Sequence, residues 1–327
     1  TKNSAPRLVY AARLSGHLRK SRISALFTGS GSFVDCLNNE YDALIVDEAH
    51  RLNAKSGMFG NLGENQVKEI IQSSRTSIFF IDEYQRIHMK DVGSEELIRA
   101  YAKELNAEVF VADLTSQFRC GGSDGYLSWI DNSLGLRPTA NTSLDTSQFD
   151  FKIFDDPKKM YEEIIDKNNQ NFKSRLVAGY CWNWVSKKRP DEDDIILGNG
   201  KLSAKWNLSQ HGMLWIEKDE SISEIGCIHT CQGLELDYVG VIIGPDLRFS
   251  DGHVVTDVNQ RAKTDSSIKG LKKMMRLAPE EAEKRGREIV LNTYRTLLTR
   301  GMKGCYVYCT DKELTKHLRS LISSQIG

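Results

Sequence analysis

Short apolar runs alternate with helix-periodic stretches through the first third of the chain. Residues 7 to 20 set Leu8, Val9, Ala12 and Leu18 among basic positions, the spacing of an amphipathic helix. The run ALIV (43 to 46) has the look of a strand buried on both faces of a parallel sheet. A loop rich in Gly and Asn (53 to 63) follows, then a helical stretch at 66 to 73, a second buried strand SIFFID (77 to 82), a helix at 94 to 105 and a third strand EVFVADL (108 to 114). Strands alternating with helices predict the α/β class with a parallel sheet.

After Leu114 the pattern changes. Residues 121 to 147 are dense in Gly, Ser, Thr, Asn and Asp around one short apolar segment, YLSWI. Alternation resumes with FKIF (151 to 154), a helix from about 157 to 167, the strand RLVAGY (175 to 180), the buried strand DYVGVIIG (237 to 244), a charged helical tract at 265 to 290 broken at Pro279, and a last strand GCYVYC (304 to 309). This predicts two α/β domains, 1–115 and 116–327.

Composition adds bounds. Among 327 residues, 40% are hydrophobic and 27% charged, as in a soluble globular protein. No apolar stretch approaches the roughly 20 residues that span a bilayer, and the start TKNSAPRLVY has no signal-peptide core, so a cytoplasmic protein without a membrane partner is expected. Lys plus Arg (44) equals Asp plus Glu (44), so attraction for nucleic acid must come from local patches. Seven cysteines, an odd number, argue against a secreted disulfide framework. Cys227 with Cys231 and Cys305 with Cys309 lie in strand-like stretches where residues four apart share a face and His229 points the other way, which suits structural thiols better than zinc.

The chemistry concentrates at VDEAH. A buried parallel strand delivers its carboxyl end to a ligand crevice, so Asp47 and Glu48 are placed to hold Mg²⁺ and to orient an attacking water. A polar strand end is the plain alternative. IDEYQRI brings Asp82 and Gln85 to the end of the second strand, and LTSQFRC carries Arg119. HTCQGLELD sets a polar turn ahead of a strand, and NTYRTLLTRG sets Arg295 and Arg300 ahead of another. Arginines at a cleft suit developing phosphate charge.

In this order the motifs resemble superfamily 1 helicases, tandem RecA-like ATPases of the P-loop NTPase type. Longer strings, KNSAPR, GSGSF, VDEAHRL, QFRCGGSDGYLSW, GCIHTCQGLELDYVGVIIGPDL and NTYRTLLTRGMKG, resemble the Schlafen group 3-like DNA/RNA helicase domain over nearly the whole chain. The resemblance implies two RecA-like parallel-sheet domains with ATP in the cleft between them. It implies Mg²⁺ bound by Asp47 through water and water activation by Glu48. It implies γ-phosphate contacts from Gln85 and Arg119, an arginine finger at Arg300, and a nucleotide side lined by Gln232, Gly233 and Glu235 with Arg295 nearby. Tyr84, Arg86 and Thr230 would meet single-stranded or partly duplex DNA or RNA, although a tyrosine after a buried strand often packs on a helix instead. A nuclease domain or subunit would be a further partner.

The family's phosphate-binding loop, G-x-x-x-x-G-K-[ST], does not occur in the sequence. GSGSF lacks the lysine. A fragment, with its first domain truncated at the N-terminus and inactive alone, is therefore expected. The basic clusters Arg7, Arg13, Arg19, Lys20 and Arg22, and Lys269, Lys272, Lys273 and Arg276, suit phosphate contacts or simply solvated helix faces. The functional expectation is an ATP-dependent helicase or translocase. The alternatives are a nucleic-acid-stimulated ATPase that remodels complexes without unwinding, and a scaffold that has lost catalysis.

Overall fold

A computed structural model describes residues 4–57, 60–114, 120, 124–147, 149–207, 212–231 and 233–322. The chain divides into two units, Thr1–Asp113 and Leu114–Gly327.

The first unit opens with α1 (Ser4–Leu14) and α2 (Lys20–Leu26). The sequence suggests one helix here; the chain breaks it at Gly16, whose φ of +105° lies in the left-handed region. Then come β1 (Tyr41–Val46), α3 (Gln66–Ser73), β2 (Ser74–Phe79) and α4 (Glu95–Glu104). The side chains of Asn65 and Ser94 cap α3 and α4 by accepting from Val67 N at 3.0 Å and Leu97 N at 3.1 Å. β1 and β2 run parallel with Val46 opposite Phe79. Leu44, Val46 and Phe79 pack with Val67 and Ile70 of α3 and with Leu97, Ile98 and Tyr101 of α4.

Two expectations fail here. Ile45 is 69% exposed and Ile78 45%, so the strands are covered on one face rather than both. The helices supply a single layer, and the pleat sends alternate residues away from it. EVFVADL forms no strand, and Phe110 and Leu114 are 88% and 81% exposed. Among the described residues β1 and β2 pair only with each other, so this apolar run has no ladder to join.

The second unit starts with α5 (Asp124–Ser133), built from the YLSWI segment, which buries Tyr126, Trp129 and Ile130. It continues with β3 (Asp150–Phe154), α6 (Pro157–Asn171), β4 (Ser174–Ala178), β5 (Ile195–Leu197), β6 (Leu202–Trp206), β7 (Glu224–Cys227), α7 (Ile228–Cys231) and β8 (Leu236–Ile243). A hairpin of β9 (Leu247–Ser250) and β10 (His253–Thr256) follows, turning on Asp251 and Gly252 at φ +54° and +79°, both left-handed as such a two-residue loop requires. α8 (Leu271–Leu277), α9 (Pro279–Leu298), β11 (Gly301–Cys309) and α10 (Lys312–Ser320) complete the unit, with the predicted break at Pro279.

Seven strands form one sheet in the order β3-β11-β8-β4-β7-β6-β5, parallel except for β5. The α/β class read from the alternation is thus the class observed. The chain leaves β4 toward β7 on one side, then crosses from β7 to β8 on the other, so the winding direction reverses beside β4. Crevices at such reversals, beyond the carboxyl ends of the strands, are where sheets of this kind hold ligands. Val239, Val241, Ile242 and Ile243 of β8 are buried, and α9 packs Ile289, Val290, Tyr294, Leu297 and Leu298 inward.

The strand reading of EIGCIHTC holds only to Cys227. Thr230 Oγ1 accepts from Cys227 N at 3.0 Å and donates to Cys227 O at 2.9 Å, closing a helical turn where the alternation implies extension. Cys227, Cys231, Cys305 and Cys309 are free and buried.

Candidate functional site

β1 ends at Val46, and the next two residues are the carboxylate pair. Phe80 N donates to Val46 O and Ala49 N donates to Phe80 O, each at 2.9 Å, so the parallel pairing continues past both strands and sets the DEAH turn beside the IDEYQ turn. Glu48 adopts φ +57°, ψ +44°, left-handed backbone that costs a non-glycine residue about 1–2 kcal/mol. Glycine 93 allows this turn to sit close: a Cβ there would lie 1.9 Å from Ala49 O.

Asp47 Oδ1 accepts from Glu48 N at 3.0 Å. Burial, and then the neighbouring Glu48 charge, push the Asp47 carboxyl up from its ordinary value. Two adjacent, partly desolvated carboxylates form a place where a divalent cation would be welcome. Among the described residues no group of three or more His, Cys, Asp and Glu side chains could cage a metal ion. Mg²⁺ fits the pair on other terms, because it is commonly held by one or two carboxylates while water and phosphate oxygens fill its remaining positions.

Glu48 is buried, and its Oε2 stands 2.9 Å from His50 Nε2. His50 Nδ1 accepts the backbone N–H of Asp82 at 3.3 Å, which in the neutral ring assigns the proton to Nε2, facing Glu48. Asp82 accepts from Tyr84 N at 3.1 Å and from Gln85 Nε2 at 3.0 Å. Gln85 is buried and turned to Asp82. Behind them, Arg51 Nε pairs with Asp91 Oδ2 at 2.9 Å, and the same oxygen accepts from Ile87 N and His88 N at 3.1 and 3.0 Å. The structure therefore brings Asp47, Glu48, His50, Asp82 and Gln85 into one stapled pair of turns. His50 is the member that the motif reading left without a role.

Tyr84 is 38% exposed, and Arg86 is half-buried with Nη2 2.8 Å from Glu83 Oε2. GSGSF is a short turn whose Ser30 hydroxyl donates to Gln66 Oε1 at 3.0 Å and whose Phe33 enters the core, which is a packing role.

In the second unit, Arg300 is fully buried, with Nε donating to Thr296 O at 3.0 Å and Nη1 to Leu234 O at 3.2 Å. In this conformation the side chain braces the turn before β11; meeting a nucleotide requires that turn to rearrange. Arg295 is buried too, with Nε 2.6 Å from Asp131 Oδ1, an ion pair between α9 and α5. Gly233 takes φ +80°, and Glu235 is exposed just before β8. Thr230 turns its hydroxyl to its own helical turn. Arg119 and Gln232 lie outside the described residues.

The chain is 29% identical over 301 residues to the uncharacterized protein YPL245W of Saccharomyces cerevisiae, covering 85% of this chain and 64% of that protein. Among solved structures it is similar to the arterivirus nonstructural protein 10 helicase (12% identity, 86% of this chain and 42% of that one, TM-score 0.32). It is also similar to the C-terminal domain of a possible DNA helicase from Lactobacillus plantarum WCFS1 (11% identity, 64% of this chain and 98% of that one, TM-score 0.25). Residues 1–311 match the Schlafen group 3 DNA/RNA helicase domain, and the chain belongs to that family.

Proposed function

We propose that this chain carries the hydrolytic and strand-binding residues of an ATP-dependent DNA or RNA helicase or translocase. The observation that carries the reading is the paired turn: Asp47 and Glu48 leave β1 beside Asp82 and Gln85 leaving β2, and His50 spans both. Bound Mg²⁺ would offset charge on the β- and γ-phosphates of ATP. Asp47 would hold that ion through water. Glu48 would accept a proton from the attacking water while His50 keeps its carboxylate oriented. Gln85, now hydrogen-bonded to Asp82, could exchange that partner for a phosphate oxygen, which would make the second turn sensitive to the nucleotide.

The chain spans 64% of its curated relative, and the phosphate-gripping loop is not in its sequence. Hydrolysis by the whole protein is accordingly part of the proposal, and the residues assigned here are those this chain carries toward it. Free, mostly buried thiols favour the cytoplasm as its compartment. Among the described residues no helix is long and apolar enough to cross a membrane.

The test is ATP hydrolysis by the full-length protein with and without single-stranded DNA or RNA, run beside strand displacement from a partial duplex. Stimulated hydrolysis with displacement supports a helicase. Stimulated hydrolysis without displacement supports remodelling or translocation. Neither activity in a folded protein would overturn the reading.

A further inference from the structure

We infer that a cavity at the carboxyl end of the second unit's sheet receives one unstacked nucleobase of the bound strand. This rests on the proposed strand-dependent motor and names a contact within it. The cavity, about 310 Å³, is lined by Tyr180, Trp184, Asn207, Cys227, Thr230 and Asp265 among others. Tyr180 follows β4, Asn207 follows β6, and Cys227 ends β7, so the walls come from three adjacent parallel strands. β7 and β6 lie on one side of β4, and the volume is at the lower end of ligand-sized cavities, about 300–1,000 Å³.

The lining selects a flat, uncharged ligand. Tyr180 is buried and stacks on Trp206 with ring centroids 5.1 Å apart and planes at 20°, which fixes it as a wall. Trp184 is half-buried and supplies the large aromatic surface near the opening. The Lys187 ammonium lies 4.9 Å from the Trp184 ring centroid, putting a positive charge at the mouth. Deeper in, Asp265 is buried, with Oδ2 2.5 Å from Arg261 Nε and Oδ1 accepting from Ser267 N at 2.9 Å. A phosphate pushed in there would be repelled by the carboxylate, whereas a neutral base would not. Asn207 Oδ1 lies 3.4 Å from Thr230 Oγ1, so the amino end of the amide is the end suited to donate to a ligand. The base would thus enter between aromatic walls while its phosphate passes Lys187 outside. Aromatic stacking with backbone attraction nearby is how single strands are held without sequence preference.

The test is a tryptophan-fluorescence titration of the chain at fixed salt with an oligothymidylate of roughly 20 nucleotides, against the same oligomer made of abasic residues. Stacking on Trp184 predicts quenching by the first and much less by the second. Trp184→Phe should bind the oligothymidylate within about 3-fold of the parent but lose most of the quench, and Trp184→Ala should bind roughly 5- to 100-fold more weakly. The salt slope should stay unchanged in both, since no phosphate contact is removed. Quenching that survives in Trp184→Phe, or unaltered affinity in a folded Trp184→Ala, would overturn the inference and leave the motor reading standing. If Trp184→Ala does not fold, the quench in Trp184→Phe decides. No binding of either oligomer by the parent chain would overturn the inference and count against the motor as well.

Discussion

His50 Nε2 stands 2.9 Å from Glu48 Oε2, while its Nδ1 accepts the N–H of Asp82 across the paired turns. One imidazole thus ties the orientation of the residue proposed to activate water to the turn that carries Gln85. His50→Ala should lower kcat for strand-stimulated ATP hydrolysis about 10- to 100-fold, the usual effect of removing a group that orients a reacting one, with little change in KM. Steady-state kinetics on the folded variant checks this. A rise in KM at unchanged kcat would place His50 in nucleotide binding instead.

Asp47 carries a second consequence. Its carboxyl is pushed up by burial and then by Glu48. An acid whose folded pKa exceeds its unfolded value, about 3.9 for aspartate, contributes stability that is fully present below the unfolded pKa. That stability is lost as pH rises through the folded value. At neutral pH without metal, Asp47→Asn should therefore melt higher than the parent, and the gap should close as the buffer is made acidic. Thermal melts across pH read this directly. Mg²⁺ should raise the melting temperature of the parent and not of the variant.

Gly93 permits the close approach of two backbones, since a Cβ there would lie 1.9 Å from Ala49 O. That oxygen cannot swing away as a long side chain would. Gly93→Ala should cost about 1–3 kcal/mol in urea unfolding and should also reduce hydrolysis, because the displaced backbone carries Glu48 and His50. Gly60→Ala offers a contrast, since its left-handed φ strains any substitution but nothing lies within 4 Å of its Cβ. It should lose stability without losing turnover.

Much of this was legible in the sequence, and the failures share a cause. Val46, Phe79 and the buried run of β8 announce themselves by short apolar stretches, and Pro279 marks its own helix boundary. EVFVADL has equal apolar content and forms no strand, because pairing depends on a neighbour that composition does not reveal. Asp47, Glu48, Asp82 and Gln85 were identifiable because each sits just past a strand whose end could be located. His50 was visible as the last letter of DEAH, yet its two contacts cross from one turn to another and have no periodic signal. The cavity residues Tyr180, Trp184, Asn207 and Asp265 come from separated segments that only the strand order brings together.

Arg300 shows how burial separates two roles. Its guanidinium donates to the carbonyls of Thr296 and Leu234. Arg300→Met should leave those acceptors short of a donor and destabilise the chain by about 1–3 kcal/mol in urea unfolding, whatever Arg300 does for a nucleotide. Arg300→Lys should recover part of that stability. If the turn before β11 also moves to present Arg300 to phosphate, folded Arg300→Lys will be deficient in kcat. Equal kcat in the two folded proteins would confine Arg300 to its bracing role.

The most direct test of the proposed motor is single-strand-stimulated ATP hydrolysis by the full-length protein, compared with the same protein carrying Glu48→Gln. The substitution keeps the size of the side chain and removes the base. The account predicts stimulated turnover in the parent and a loss of about 100-fold or more in Glu48→Gln, with ATP binding retained. Turnover unaffected by Glu48→Gln, or none in a folded parent that binds the strand, would contradict it.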